Sequence, residues 1–122
     1  MDVLTIIAGN NTPAISMDAN NQLISISGRS LPENAPAFFE KCFEWVSAYI
    51  TTADTEKKTI IELKLEYFNT SSSKLIYELL KQLSALKNVY IKWYFAADDE
   101  DMEETGLEFM ELINAPFELV EL

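Results

Sequence analysis

The sequence predicts an α/β protein with a single mixed β-sheet and three helices packed mainly on one face. Three observations lead there. Segments 59–67 and 89–95 alternate apolar and polar residues with the period of a strand. Three other segments repeat apolar residues at helical spacing. The first thirty residues break into short β-rich runs separated by turn formers. Strands separated by helices imply parallel pairing with right-handed crossovers. Clean alternation implies that one sheet face stays partly wet. The predicted order is β-β-β-α-β-α-β-α-β.

Leu4 to Ala8 is the first β-rich run, stopped by Gly9-Asn10-Asn11. Ala14 to Met17 and Leu23 to Ser27 flank Asp18-Ala19-Asn20-Asn21, a hairpin pattern, with Ile24 and Ile26 on one face. Ser30 to Pro36 reads as a helix entry in which Asn34 is the N-cap. Phe39, Cys42, Phe43, Val46, Tyr49 and Ile50 then form the apolar stripe of a helix reaching about Thr51. In Thr59 to Tyr67, Ile61, Leu63, Leu65 and Tyr67 point one way, and Ile60, Glu62, Lys64 and Glu66 the other. The second helix carries Leu75, Ile76, Leu79, Leu80 and Leu83, and Asn88 ends it. Val89, Ile91, Trp93 and Phe95 share one face of the next strand. Asp98 to Asn114 reads as a third helix with an acidic first turn, and Phe117 to Leu122 as a terminal strand.

Composition narrows function. Residues 1–122 have the size of one domain, with 48% hydrophobic residues and enough apolar material for a core. Nine basic and 20 acidic residues give a net charge of −11, which argues against nucleic acid and against anionic membrane surfaces. The lone cysteine and the lack of a basic, apolar leader point to a cytoplasmic protein. Without histidine there is no imidazole base and no histidine-based triad. Three scattered glycines make no phosphate-binding loop, and no cofactor or metal site is expected. Cys42, among Phe39, Phe43 and Val46, reads as a small buried hydrophobe. Tested as a calcium loop, the acidic segment from Asp101 puts Leu112 where the chelating glutamate must stand, so the match fails.

One segment stands apart. Phe68-Asn69-Thr70-Ser71-Ser72-Ser73-Lys74 places four consecutive hydroxyls between a strand and a helix N-terminus. Any of them can cap the helix, but capping needs one hydroxyl. The functional reading is phosphorylation. A phosphate gains there from free N–H groups and from the helix dipole, with Lys74 four residues after Thr70 as a partial counter-charge. The position also lies beyond the carboxyl end of a strand, where open α/β sheets place ligand sites.

Three motifs together resemble one family. They are Asn11-Thr12-Pro13-Ala14-Ile15, Gly28-Arg29-Ser30-Leu31-Pro32-Glu33-Asn34 and Tyr67 to Lys74. With Phe38-Phe39 and Trp45, they look like the SiaC-type biofilm-regulation phosphoproteins, from about Thr12 to Phe117. Leu31 stands where that family is expected to carry an aromatic residue, and Phe68 where it carries an aliphatic one. The resemblance implies a single SiaC-like domain acting as a non-catalytic signalling adaptor. It implies phosphorylation on Thr70 by a protein kinase of histidine-kinase-like ATPase fold and removal of the phosphate by a PP2C-type phosphatase. Asn69, Ser71 and Ser72 shape the switch loop. The implied output is binding to a downstream effector such as a diguanylate cyclase. The layout is also similar to STAS domains, which carry a phosphorylated hydroxyl at a comparable helix start. Two other readings of the residues are a constitutive binding subunit whose serines merely cap the helix, and a small-ligand sensor with a pocket at the same sheet edge.

Overall fold

The computed structural model describes all residues 1–122. Its elements are β1 (Leu4–Ile6), β2 (Ala14–Asp18), β3 (Leu23–Ser30), α1 (Ala35–Thr52), β4 (Thr59–Phe68), α2 (Thr70–Leu83), β5 (Val89–Phe95), α3 (Glu100–Leu112) and β6 (Phe117–Glu121). They form one six-stranded sheet in the order β1-β2-β3-β4-β5-β6. β1, β2 and β3 form an antiparallel meander, and β3 through β6 run parallel. Because every parallel crossover advances in the same direction, right-handed connections put all three helices on one face.

That topology corrects one expectation. Ligand crevices in open α/β sheets form where the strand order reverses and neighbouring helices diverge to opposite faces. Here the order never reverses. The start of α2 lies beyond the end of β4 without being a crevice of that kind.

The core lies between the sheet and the helices. Ile24, Ile26, Ile61, Leu63, Leu65, Val89, Ile91, Trp93 and Phe95 are buried from the sheet side. Phe39, Cys42, Val46 and Tyr49 meet them from α1, and Ile76, Leu79, Leu80 and Leu83 from α2. Trp45, outside the predicted stripe, is buried as well. It stacks on Tyr49 with ring centroids 4.7 Å apart, and its Nε1 donates to the Asp2 carbonyl. α3 supplies Met102, Gly106 and Phe109. Gly106 is a close-approach residue: a Cβ there would come within 2.6 Å of Trp93 Cδ1. The Trp93 indole donates to the Met102 carbonyl at 3.1 Å.

Several boundaries move. β1 stops at Ile6, leaving Ile7 exposed rather than in a strand reaching Ala8. β3 continues to Ser30, so Ser30 closes a strand instead of opening a helix entry, while Asn34 does cap α1 by accepting from the Ala37 N–H. α2 ends at Leu83, because the next N–H groups, of Ala85 and Leu86, bond only three residues back to Gln82 and Leu83 and the chain turns before Asn88. α3 is shorter at both ends, capped by the Asp99 carboxylate on Met102 N–H.

Tyr67 also departs from the predicted phase. The β3–β4 register slips between Gly28, opposite Leu65, and Arg29, opposite Tyr67. The extra β4 residue is a bulge, and Gly28 adopts φ +97 there, a conformation favourable only to glycine. Past the bulge, facing inverts. Tyr67 is half exposed beside Arg29, and Phe68 turns in to pack edge-on against Trp93 and Phe109.

At the opposite end of the sheet, Gln22 closes the β2–β3 hairpin at φ 49. Its buried amide compensates by donating to the carbonyls of Asp54 and Lys57 and to Thr59 Oγ1, which in turn bonds the Tyr49 hydroxyl at 2.6 Å. No helix is long and apolar enough to cross a membrane.

Candidate functional site

The hydroxyl block sits where β4 hands over to α2. The last β3–β4 backbone bond runs from the Asn69 N–H to the Ser30 carbonyl at 3.0 Å, and the helix begins one residue later. Asn69 is the N-cap: its Oδ1 accepts from Ser72 N–H at 2.9 Å and its carbonyl from Ser73 N–H. The cap is therefore an amide, not one of the four hydroxyls, and the hydroxyls diverge in role.

Thr70 is the first residue of α2 and is exposed, as is Ser71. On a 3.6-residue helix Thr70 lies nearly opposite Ser72, so it tops the crest of α2 with Lys74 one turn on. Ser72 points the other way. It is fully buried, and its hydroxyl accepts from that of Ser30 at 2.8 Å. That pair stitches the start of α2 to the end of β3 and closes Ser72 to any modifying enzyme. Ser73 is half-buried. Asn69, Ser71 and Ser72 thus surround Thr70 as cap, exposed neighbour and buried tether.

Beside the block, β4 and β5 part company. Their pairing ends at Leu63 with Trp93, while β4 stays with β3 as far as Phe68. A cavity of about 170 Å³ opens between the end of β4 and the first turns of α3, with Tyr67, Phe68 and Met102 among its walls. Glu66, Asp99 and Asp101 give it a negative rim. An aromatic chain leads inward from it through Phe68, Trp93 and Phe109 to Tyr77 on α2. The expected aliphatic residue at position 68 would not extend that chain. The sequence allowed a pocket at this sheet edge but not its walls, because the bulge that turns Phe68 inward is set by the partner strand.

Cys42 lies on the core face of α1, fully out of solvent, and burial pushes its thiol pKa up to about 12. It has no part in the site. No group of three or more histidine, cysteine, aspartate or glutamate side chains is placed to hold a metal ion.

A one-sided α/β sheet that offers an exposed threonine on a helix start, with the capping done by its neighbour, has the layout of a small regulatory domain. The chain belongs to the SiaC family of regulatory phosphoproteins, whose family model matches residues 6–122. An uncharacterized protein of Pseudomonas aeruginosa strain UCBPP-PA14 is 31% identical over 121 residues, covering 96% of this chain and 94% of its own length. Among solved structures, a chain from the crystal structure of the diguanylate cyclase SiaD in complex with its activator SiaC, from Pseudomonas aeruginosa, superposes with a TM-score of 0.89. It is 30% identical, with 98% of this chain and 99% of that one covered. Apo-SiaC from the same organism gives a TM-score of 0.84 at 30% identity and the same coverage.

Proposed function

We propose that this protein is a non-catalytic signalling adaptor switched by reversible phosphorylation of Thr70. The observation that carries the reading is the division of labour at the start of α2. Asn69 caps the helix and Ser72 ties it to Ser30, which leaves the exposed Thr70 hydroxyl without a structural task. A residue with no structural task is one that a partner enzyme can modify without unfolding the site. In this reading a kinase of histidine-kinase-like ATPase fold adds the phosphate and a PP2C-type phosphatase removes it. The other enzymes bring the nucleotide and metals.

The output is binding to a downstream effector. The related SiaC of Pseudomonas aeruginosa is the activator of the diguanylate cyclase SiaD and is seen in complex with it. Identity near 30% over almost the whole chain supports an effector of the same class here. The unphosphorylated form binds it. A phosphate on Thr70 adds nearly two negative charges at the exposed start of α2, and it spoils a close-packed contact at the crest of that helix.

The test is phosphopeptide mapping after incubation with a kinase of histidine-kinase-like ATPase fold from the same cells, together with effector binding by Thr70→Ala and Thr70→Glu. Phosphate on Thr70, with Thr70→Ala binding and Thr70→Glu binding weakly, is the expected result. Phosphate on Ser71, Ser72 or Ser73 keeps the switch and moves its residue, whereas no modification in the block, with Thr70 variants that bind like wild type, returns the hydroxyls to a purely structural role.

A further inference from the structure

All three helices lie on one side of the sheet, so the other face is uncovered, and it differs from the rest of the surface in charge and in relief. We propose that two copies of the chain associate through this face, back to back, about a two-fold axis running along the strands between β3 and β4.

Charge is the first argument. Arg29, Lys58, Lys64 and Lys92 on or over this face balance Asp18, Glu62, Glu66 and Glu118. The net charge of −11 is therefore carried by the remaining surface. Copies approaching through the helices repel each other, whereas copies approaching through the uncovered faces do not.

Relief is the second. Along the middle of β1 to β3 the outward residues are small, Thr5, Ala14, Ser16, Ser25 and Ser27, with Asp18, Leu23 and Arg29 standing only at the strand ends. On β4 to β6 they are large: Ile60, Glu62, Lys64, Tyr90, Lys92, Tyr94 and Glu118. The tall half is braced. Tyr90 donates to Glu118 at 2.9 Å and Tyr94 to Glu62 at 3.1 Å, while Lys58 and Lys64 lie 5.2 and 4.8 Å over the two rings. Side chains already fixed lose little entropy on binding.

A two-fold axis along the strands sets the low half of one copy under the tall half of the other. The registers then dictate the pairs. Leu23, opposite Ile60 within the chain, meets Ile60 of the second copy at the axis. Ser25 meets Glu62, Ser16 meets Lys92, and Thr5 meets Glu118. Asp18 comes to the Tyr90 ring. Six strands spaced about 4.8 Å apart make roughly 500 Å² of flat sheet. The standing side chains raise this toward the about 800 Å² per partner of a standard interface.

Sedimentation equilibrium of the full chain, from micromolar to millimolar concentration, tests the proposal. The expected result is a monomer–dimer equilibrium. Ser16→Lys places a cation against Lys92 of the second copy, and Leu23→Lys removes the apolar contact at the axis. Each is exposed in the single chain, and each should weaken dimerisation at least tenfold. Glu44→Lys on α1 should leave the dimer intact. A wild type that stays monomeric throughout overturns the proposal, as does a dimer indifferent to both face variants.

Discussion

The Ser30 hydroxyl donates to the Ser72 hydroxyl across 2.8 Å, and neither side chain touches solvent. This one bond joins the last residue of β3 to the first turn of α2 and holds that turn against the sheet. Removing either partner strands the other. Ser30→Ala and Ser72→Ala should each cost about 1–3 kcal/mol, and the double variant clearly less than their sum. A urea-denaturation double-mutant cycle measures the coupling. Additive losses would mean that the pair is a close contact without a hydrogen bond.

Thr70→Ala should change stability by no more than ~0.5 kcal/mol, because Asn69 keeps the cap. Asn69→Ala should cost about 1 kcal/mol, the usual loss when an N-cap goes. Denaturation curves of the two variants separate capping from switching. A Thr70→Ala loss as large as that of Asn69→Ala would place Thr70 among the structural residues.

Gly106→Ala should destabilise the protein even though alanine is the better helix former by ~1 kcal/mol. The added methyl would sit 2.6 Å from Trp93 Cδ1, and Trp93 is held by its bond to Met102 and by the packed ring of Phe109. Overpacking of this kind costs about 1–3 kcal/mol. A lower melting temperature with altered Trp93 fluorescence is the expected result, and a gain in stability would show that α3 can shift outward at no cost.

Cys42 should resist thiol reagents until the protein unfolds, since burial both hides it and raises its pKa from 9.0 to about 12. The linkage has a definite sign. Above pH 9 the thiol of the unfolded chain ionises while the buried one does not, so stability falls as pH rises from about 9 toward 12. Cys42→Ala should flatten that part of the pH–stability curve. Rapid labelling under native conditions would contradict the burial.

What the sequence made legible was whatever one segment determines by itself. Ile61, Leu63 and Leu65 were readable because the two-residue period belongs to β4 alone. Tyr67 was not, because its facing is set by a bulge that depends on Gly28 in the neighbouring strand. The accessible position of Thr70 followed from a strand-to-helix junction. The choice of cap did not: Asn69, Thr70, Ser71, Ser72 and Ser73 are all able to cap. The bond from Asn69 N–H to Ser30 decides among them by ending the strand there. Trp45 belongs to the α1 stripe by spacing, three residues after Cys42 and four before Tyr49, and only its bond to the Asp2 carbonyl in the distant N-terminal segment was hidden from the sequence.

The strand order has a consequence for how the chain comes to be folded. Each strand lies against the one made just before it. A sheet of this kind extends at a single growing edge, and no early strand waits for a late one to be inserted beside it. Only the β1–β2–β3 meander closes short loops, and each parallel pairing must wait for the helix between its strands, which slows that step. During synthesis, each newly emerged helix and strand finds a finished surface to dock on. β6 arrives last and at the rim, as the final layer on a template already built.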